Sequence, residues 1–140
     1  MMATFHNQHV KVTGSRAFKR NMMRALLKLP VRYRLIAKVI VERKRLLAVA
    51  SADAETGTIR INPGRLAKNR NAYVLPSVLV HENTHLLQGP VNDRYIKRIE
   101  REAYAAQIKY LRKVGKRRLA QHFKDITESN IAEQTRVTYI

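Results

Sequence analysis

The pentapeptide His81-Glu82-Asn83-Thr84-His85 constrains this chain more than any other segment. Histidines four residues apart lie one above the other on a helix face, so this spacing asks for a helix and brings both imidazoles to one point. There the pair can reach a single metal ion, with Glu82 beside it, placed to take a proton from a water molecule. Zinc accepts neutral histidine nitrogen at about 2.0–2.1 Å and keeps one position open in catalytic sites. Two histidines alone hold such an ion weakly, so the pattern also requires a third ligand from elsewhere in the chain.

The flanking sequence supports the helix. Pro76 suits its first turn, Val78, Leu79, Val80, Leu86 and Leu87 carry its apolar side, and Gly89-Pro90 stops it. Asp93 is placed to cap a following helix over about 94–114, ended by Gly115. A further helix is expected over roughly 117–129, with Leu119, Phe123 and Ile126 inward. On the 94–114 helix, Ile96, Glu100, Ala103, Tyr104, Gln107 and Leu111 share one largely apolar face. Glu102 shares the opposite face with Arg98, Ala105, Ala106 and Lys109. A carboxylate on a core-facing stripe needs a compensating partner, and a metal ion is one. Glu100 is therefore the preferred third ligand and Glu102 the alternative. The competing use of either is an ordinary surface salt bridge, Glu100 with Lys97 or Glu102 with Arg98.

Upstream, Ser15 caps a helix over about 16–28, which Pro30 ends. Leu35, Ile36, Val39, Ile40, Leu46, Leu47 and Ala50 recur at helical spacing and predict a longer helix over about 31–50. Ser51–Thr56 reads as a polar turn ended by Gly57. Thr58-Ile59-Arg60-Ile61-Asn62 alternates as a short strand, closed by Asn62-Pro63-Gly64. Residues 65–74 form a basic connection without an assigned element. Ile131–Ile140 lacks a helical period and reads as a tail or an added strand. The expected class is α+β and mainly helical: a minimal domain with a small sheet and a helix bearing the histidine pair. At 140 residues one domain is expected. It divides into a basic helical part over 1–50, a core over 57–114 and a tail over 131–140.

The chain has no cysteine, so disulfides are excluded and any metal must be held by histidine and carboxylate. Met1–His6 has no apolar signal-like stretch, and no apolar run is long enough for a membrane span. A cytoplasmic location, or packaging inside a virus particle, is expected. The net charge of +18 is large for this length. Between Met1 and Ser51 stand twelve Lys or Arg and one acid, Glu42. Arg16, Arg20, Arg24 and Lys28 stack on one helix face, and Arg94, Arg98, Arg101 and Lys109 form a second stripe. Such stripes suit a phosphate backbone or an acidic protein surface, without base-specific reading.

His-Glu-x-x-His followed, after a turn, by a helix carrying Glu-x-x-Ala (Glu100-Arg101-Glu102-Ala103) resembles the gluzincin metallopeptidases. The likeness covers roughly residues 57–108 and is similar in scale to minigluzincins and to small phage or prophage metallopeptidase-like proteins. It implies a zinc metalloendopeptidase with His81, His85 and Glu100 as ligands and Glu82 as general base. It implies that Thr58, Ile59, Arg60, Ile61 and Asn62 form the rim strand that pairs with an extended substrate. Tyr104, four positions after the glutamate ligand, stands where the family often has an acid bonded to a ligand histidine. Tyr95, Tyr73 and His122 are candidates for stabilising an oxyanion, and Glu133–Ile140 could lie in the cleft as an inhibitory strand. The alternative expectation is a basic, nucleic-acid-associated protein on the same scaffold, with a structural metal or none.

Overall fold

The computed structural model describes residues 2–5, 8–30, 35–66, 71–90 and 92–134. Its strands are β1 (Met2–Phe5), β2 (Gln8–Thr13), β3 (Val39–Glu42), β4 (Ala50–Asp53) and β5 (Thr58–Ile61). Its helices are α1 (Arg16–Leu27), α2 (Pro63–Leu66), α3 (Val74–Gln88), α4 (Ile96–Lys113) and α5 (Arg117–Gln134), with a 3-10 turn over Asp93–Tyr95 before α4. The fold is α+β and mainly helical, with a small sheet, as the sequence implied.

The sheet runs β1-β2-β3-β5-β4. Its β1–β2 and β4–β5 pairs are antiparallel, and β2–β3 and β3–β5 are parallel. In β2, Val10 and Val12 are fully buried while His9, Lys11 and Thr13 face solvent, the period-2 alternation of a half-buried strand. Ile40, Ile59 and Ile61 fill the central strands. Helix α1 begins as expected: the Ser15 hydroxyl accepts from Phe18 N at 3.1 Å. It then buries Phe18, Met22, Ala25 and Leu26 on one face. The Glu42 carboxylate accepts from Ser15 N at 2.8 Å, fastening the end of β3 to the start of α1.

Several expectations are corrected. The basic N-terminal part is not helical throughout, because the β1–β2 hairpin precedes α1. The helix expected over 31–50 is absent from its described residues, where β3 and β4 stand instead. Val39-Ile40-Val41 is a β-branched run, which loses side-chain freedom in a helix and packs well in a sheet. Its apolar spacing mimicked a helix only because two strands and a loop were read as one period; Leu47, counted on the stripe, is 70% exposed. Ser51–Asp53 belongs to β4 rather than to a turn. The turn is shorter, with Asp53 Oδ1 accepting from Glu55 N at 3.0 Å and Gly57 at φ +67° leading into β5. Asn92, not Asp93, does the capping, accepting from Arg94 N at 3.1 Å. Helix α5 runs on to Gln134, so Ile131–Gln134 is neither tail nor strand; the remainder of the expected tail, 135–140, lies outside the described residues.

Helix α3 is buried on nearly every side, as befits an element lodged between layers rather than laid on a surface. Helix α4 packs along one flank of it, β4 along another, and α1 also touches it. Gly89, at φ +82°, ends it. The Asn83 side chain, inside the histidine motif, accepts from Ile36 N at 2.8 Å and ties the segment leading into β3 to this helix.

Candidate metal centre

Position and period bring three side chains together. His81 and His85 project from successive turns of α3 toward α4, whose core-facing stripe presents Glu100. All three are buried. His85 Nε2 lies 2.8 Å from Glu100 Oε1, His81 Nε2 lies 3.4 Å from Glu100 Oε2, and the two Nε2 atoms are 3.2 Å apart. A tetrahedral shell with bonds of about 2.0–2.1 Å has ligand-to-ligand edges of roughly 3.3–3.4 Å. The Nε2–Nε2 separation and the His81–Glu100 Oε2 separation are close to such edges, while His85 meets the other oxygen, Oε1, at the shorter distance of a hydrogen bond. Glu100 Oε2 makes no hydrogen bond despite its burial, which fits an atom aimed at a cation better than one placed for a proton donor. A buried His-His-Glu group of this kind can hold a metal ion.

The outer face of each imidazole fixes which nitrogen carries hydrogen. His85 Nδ1 is 2.9 Å from Gln88 Oε1. The Gln88 amide nitrogen donates to Ile99 O at 3.0 Å and to Glu102 Oε2 at 2.9 Å. Both are acceptors, so the amide can be oriented only one way, and its oxygen must receive Nδ1–H. His81 follows the same logic. Its Nδ1 is 3.0 Å from Gln107 Oε1, and Gln107 Nε2 donates to Ser77 Oγ at 3.0 Å. The Ser77 hydroxyl has its own hydrogen committed to Val74 O at 2.7 Å. Both Nδ1 atoms are thus donors, and both Nε2 lone pairs turn inward toward Glu100. Two facing lone pairs 3.2 Å apart repel unless a proton or a cation lies between them.

The electrostatics agree. Burial alone would depress the His85 pKa, but its bond to Glu100 and the charges of Glu82 and Glu100 outweigh burial and raise it above 6.5. Burial pushes Glu100 up, and its contacts with His81 and His85 more than reverse this, holding it below 4.5. Glu82 is 1% exposed, with Oε2 lacking any hydrogen-bond partner. Burial raises its pKa, against the attraction of His81 and His85. A buried carboxylate poised toward its neutral form beside a cation site is suited to accepting a proton.

Of the other expected site residues, Glu102 is exposed and away from the cluster. It pairs with Arg98 at 3.2 Å, as its alternative use predicted, while bracing Gln88. Tyr104 meets His81 through its ring, edge to face at 4.6 Å between centroids, and the acceptor on His81 Nδ1 is Gln107. Gln88 and Gln107 were missed, although Gln107 is a second polar residue on the apolar stripe of Glu100 and so called for a partner. Tyr73 stands at the opposite end of α3 beneath Lys28 and Lys116, and His122 is exposed on α5 against Phe123. Tyr95 is exposed on the 3-10 turn beside Arg94.

The substrate-strand expectation is overturned by topology. Thr58–Ile61 forms β5, hydrogen-bonded to β3 on one side and β4 on the other, so neither edge can receive a peptide. Asn62, just beyond it, is buried and donates to Leu46 O at 2.5 Å. Among the described residues the outermost strand on this side is β4, and it packs more extensively against α3 than β5 does. Beside it a cleft of about 210 Å³ opens between Ala52, Asp53, Ala54 and Glu55 on one wall and His85, Gly89 and Pro90 on the other. No family model, curated protein or solved structure matches the chain.

Proposed function

We propose that this protein is a zinc-dependent peptidase of the gluzincin kind. The observation that carries the reading is the buried Glu82 carboxylate, with an unpartnered oxygen, beside a His-His-Glu donor set whose Nε2 atoms converge. Two imidazoles and one carboxylate are the donors of a zinc site that leaves a fourth position for water. A bound zinc ion would supply Lewis acidity, polarising a carbonyl and acidifying water. His81, His85 and Glu100 would hold it. Glu82 would take the proton released by the attacking water and pass it to the departing amine, the task for which a raised carboxylate pKa is suited. An extended peptide would add to the outer edge of β4, its backbone beside the cleft at His85.

Glu82→Gln keeps the shape of the side chain and removes its capacity to accept a proton. Zinc content should stay at one ion per chain, while cleavage of an unfolded protein substrate falls by about 10²–10⁴-fold. Full activity in this variant, or wild-type chain that takes up no zinc, would refute the reading.

The exposed arginines of α1 favour a second reading alongside the first. Arg16, Arg20 and Arg24 face solvent on one side of the helix, and α1 carries no acid. Such a face would draw a nucleic acid or an acidic protein without sequence preference. Affinity for duplex DNA should then fall steeply with added salt. Binding that ignores salt would exclude this reading.

A further inference from the structure

At the N-terminal end of α3, away from the histidines, a cleft of about 500 Å³ lies between α1, the turn after β5 and the first residues of α3. Its volume is within the range of small-molecule sites. Phe18, Ala25, Ile61, Val74 and Leu75 give it apolar walls, and among the described residues Arg24 on α1 and Lys28, which caps the end of α1 one turn later, are its only charged lining. A third cation stands close by. Lys28 and Lys116 both approach the ring of Tyr73, at 5.8 and 4.8 Å from its centroid, and Tyr73 lies between the lining residues Ala72 and Val74. Among the described residues no carboxylate pairs with Arg24, Lys28 or Lys116. The start of α3 adds the positive end of a helix dipole, with the Val74 N–H itself already bonded to Asn71 O at 3.1 Å. Like charges gathered around an apolar cleft repel one another until an anion neutralises them.

We propose that this cleft binds a small amphiphilic anion: an apolar acyl or aryl body with one carboxylate or phosphate head. The body would lie against Phe18, Ala25 and Leu75, out of water. The head would sit at Arg24 and Lys28. A nucleic acid would use Arg16 and Arg20, which lie off the cleft, as much as Arg24, and gain nothing from the apolar floor. A neutral hydrocarbon would gain nothing from the cations. Both features together select a ligand that has both parts.

The test uses the full chain as purified, with decanoate below its micelle concentration, decan-1-ol as the uncharged analogue, and amide NMR shifts to locate binding. Decanoate should saturate with shifts at Ala25, Ala72, Val74 and Leu75, and bind at least tenfold more tightly than decanol. The double variant Arg24→Gln/Lys28→Gln should weaken it at least tenfold, while Arg16→Gln/Arg20→Gln, with the same charge removed off the rim, should leave affinity within twofold. Shifts confined to His85 and Gly89 would place the carboxylate at the metal centre and overturn the proposal. Equal affinity for decanol, or equal losses in the two double variants, would overturn it as well.

Discussion

Gln107→Leu is the sharpest probe of how the histidines are held. The substitution nearly preserves side-chain volume inside a packed site, so cavity effects are small. It removes the acceptor 3.0 Å from His81 Nδ1 and the donor 3.0 Å from Ser77 Oγ. The Ser77 hydroxyl keeps its bond to Val74 O, so the larger loss falls on the imidazole N–H, at about 1–3 kcal/mol for a buried donor deprived of its acceptor. Without Gln107 to receive Nδ1–H, the ring no longer prefers the tautomer that presents a lone pair at Nε2. Zinc affinity should therefore drop by about 10–100-fold, the usual effect of removing a partner behind a ligand histidine. Gln107→Glu separates positioning from packing, because it retains an acceptor and makes it anionic. Its zinc affinity should equal or exceed that of the wild type. Competition against a chromophoric chelator measures the affinities, and thermal unfolding in excess chelator measures the structural cost alone. If Gln107→Leu lowers metal-free stability yet binds zinc with unchanged affinity, the tautomer argument is wrong.

Two further outcomes follow from the same cluster. Glu100→Gln should cost at least a hundredfold in zinc affinity, whereas Glu102→Gln, which weakens only the brace on Gln88, should cost less than tenfold; the reverse order, read by the same competition assay, would reassign the third ligand. In the metal-free protein His85 and Glu82 both hold protons more tightly than in the unfolded chain. The stability from His85 is complete below its unfolded value of 6.5 and is lost as pH rises through its raised folded value. Glu82 adds a loss of the same sign above 4.5, while Glu100, held low, loses its contribution only as pH falls below 4.5. Melting temperature in chelator should thus decline from pH 6 to 8 while the gain from added zinc widens, and a gain that shrinks over that interval would contradict the assignment.

The parts of the site that obey helix geometry were legible in the sequence. His81 and His85 share a face by spacing alone, and the 3.6-residue period placed Glu100 on the core side of its helix and Glu102 on the wet side. What failed was everything set by the order of strands. Nothing local distinguishes β5, enclosed by β3 and β4, from an edge strand of the same composition, because edge status depends on which segments return beside it. The helix wrongly expected over 31–50 failed for a related reason. In β3 only Ile40 is fully buried, yet its half-exposed neighbours Val39 and Val41 are apolar too. No polar alternation therefore announces the strand, and Val39-Ile40-Val41 signalled its nature only through β-branching. The alternation of β2, by contrast, is present in His9-Val10-Lys11-Val12-Thr13 and matches its burial, but it was not read as a strand, because the basic N-terminal part was expected to be helical. The glutamines behind the histidines were partly legible: a polar residue seven positions from Glu100, on the same apolar face, needs a buried partner of its own.

The charge of the chain and the charge of its centre run in opposite directions. Of ten acidic residues, Glu82 and Glu100 are buried in the cluster, Glu102 braces it, and Asp53 and Glu55 line the adjoining cleft. Half the acids of a strongly basic protein thus lie in the centre or on its rim, and the two that are buried, Glu82 and Glu100, stand where fields are screened least. With neutral imidazoles, ionised Glu82 and Glu100 would leave two uncompensated negative charges in the interior, a state too costly to persist. Raised affinity for protons at Glu82 and His85 is one response, and a divalent cation is the other. The outer partners fit this balance. Were Gln88 and Gln107 carboxylates, the centre would stay negative even with a divalent ion bound, whereas neutral amides hold both rings without adding charge. Among the described residues the carboxylate in that outer layer is Glu102, which is solvent-exposed and already met by Arg98. A divalent ion held by this group would balance the two buried carboxylates, and so could be drawn to a protein whose surface would otherwise repel it.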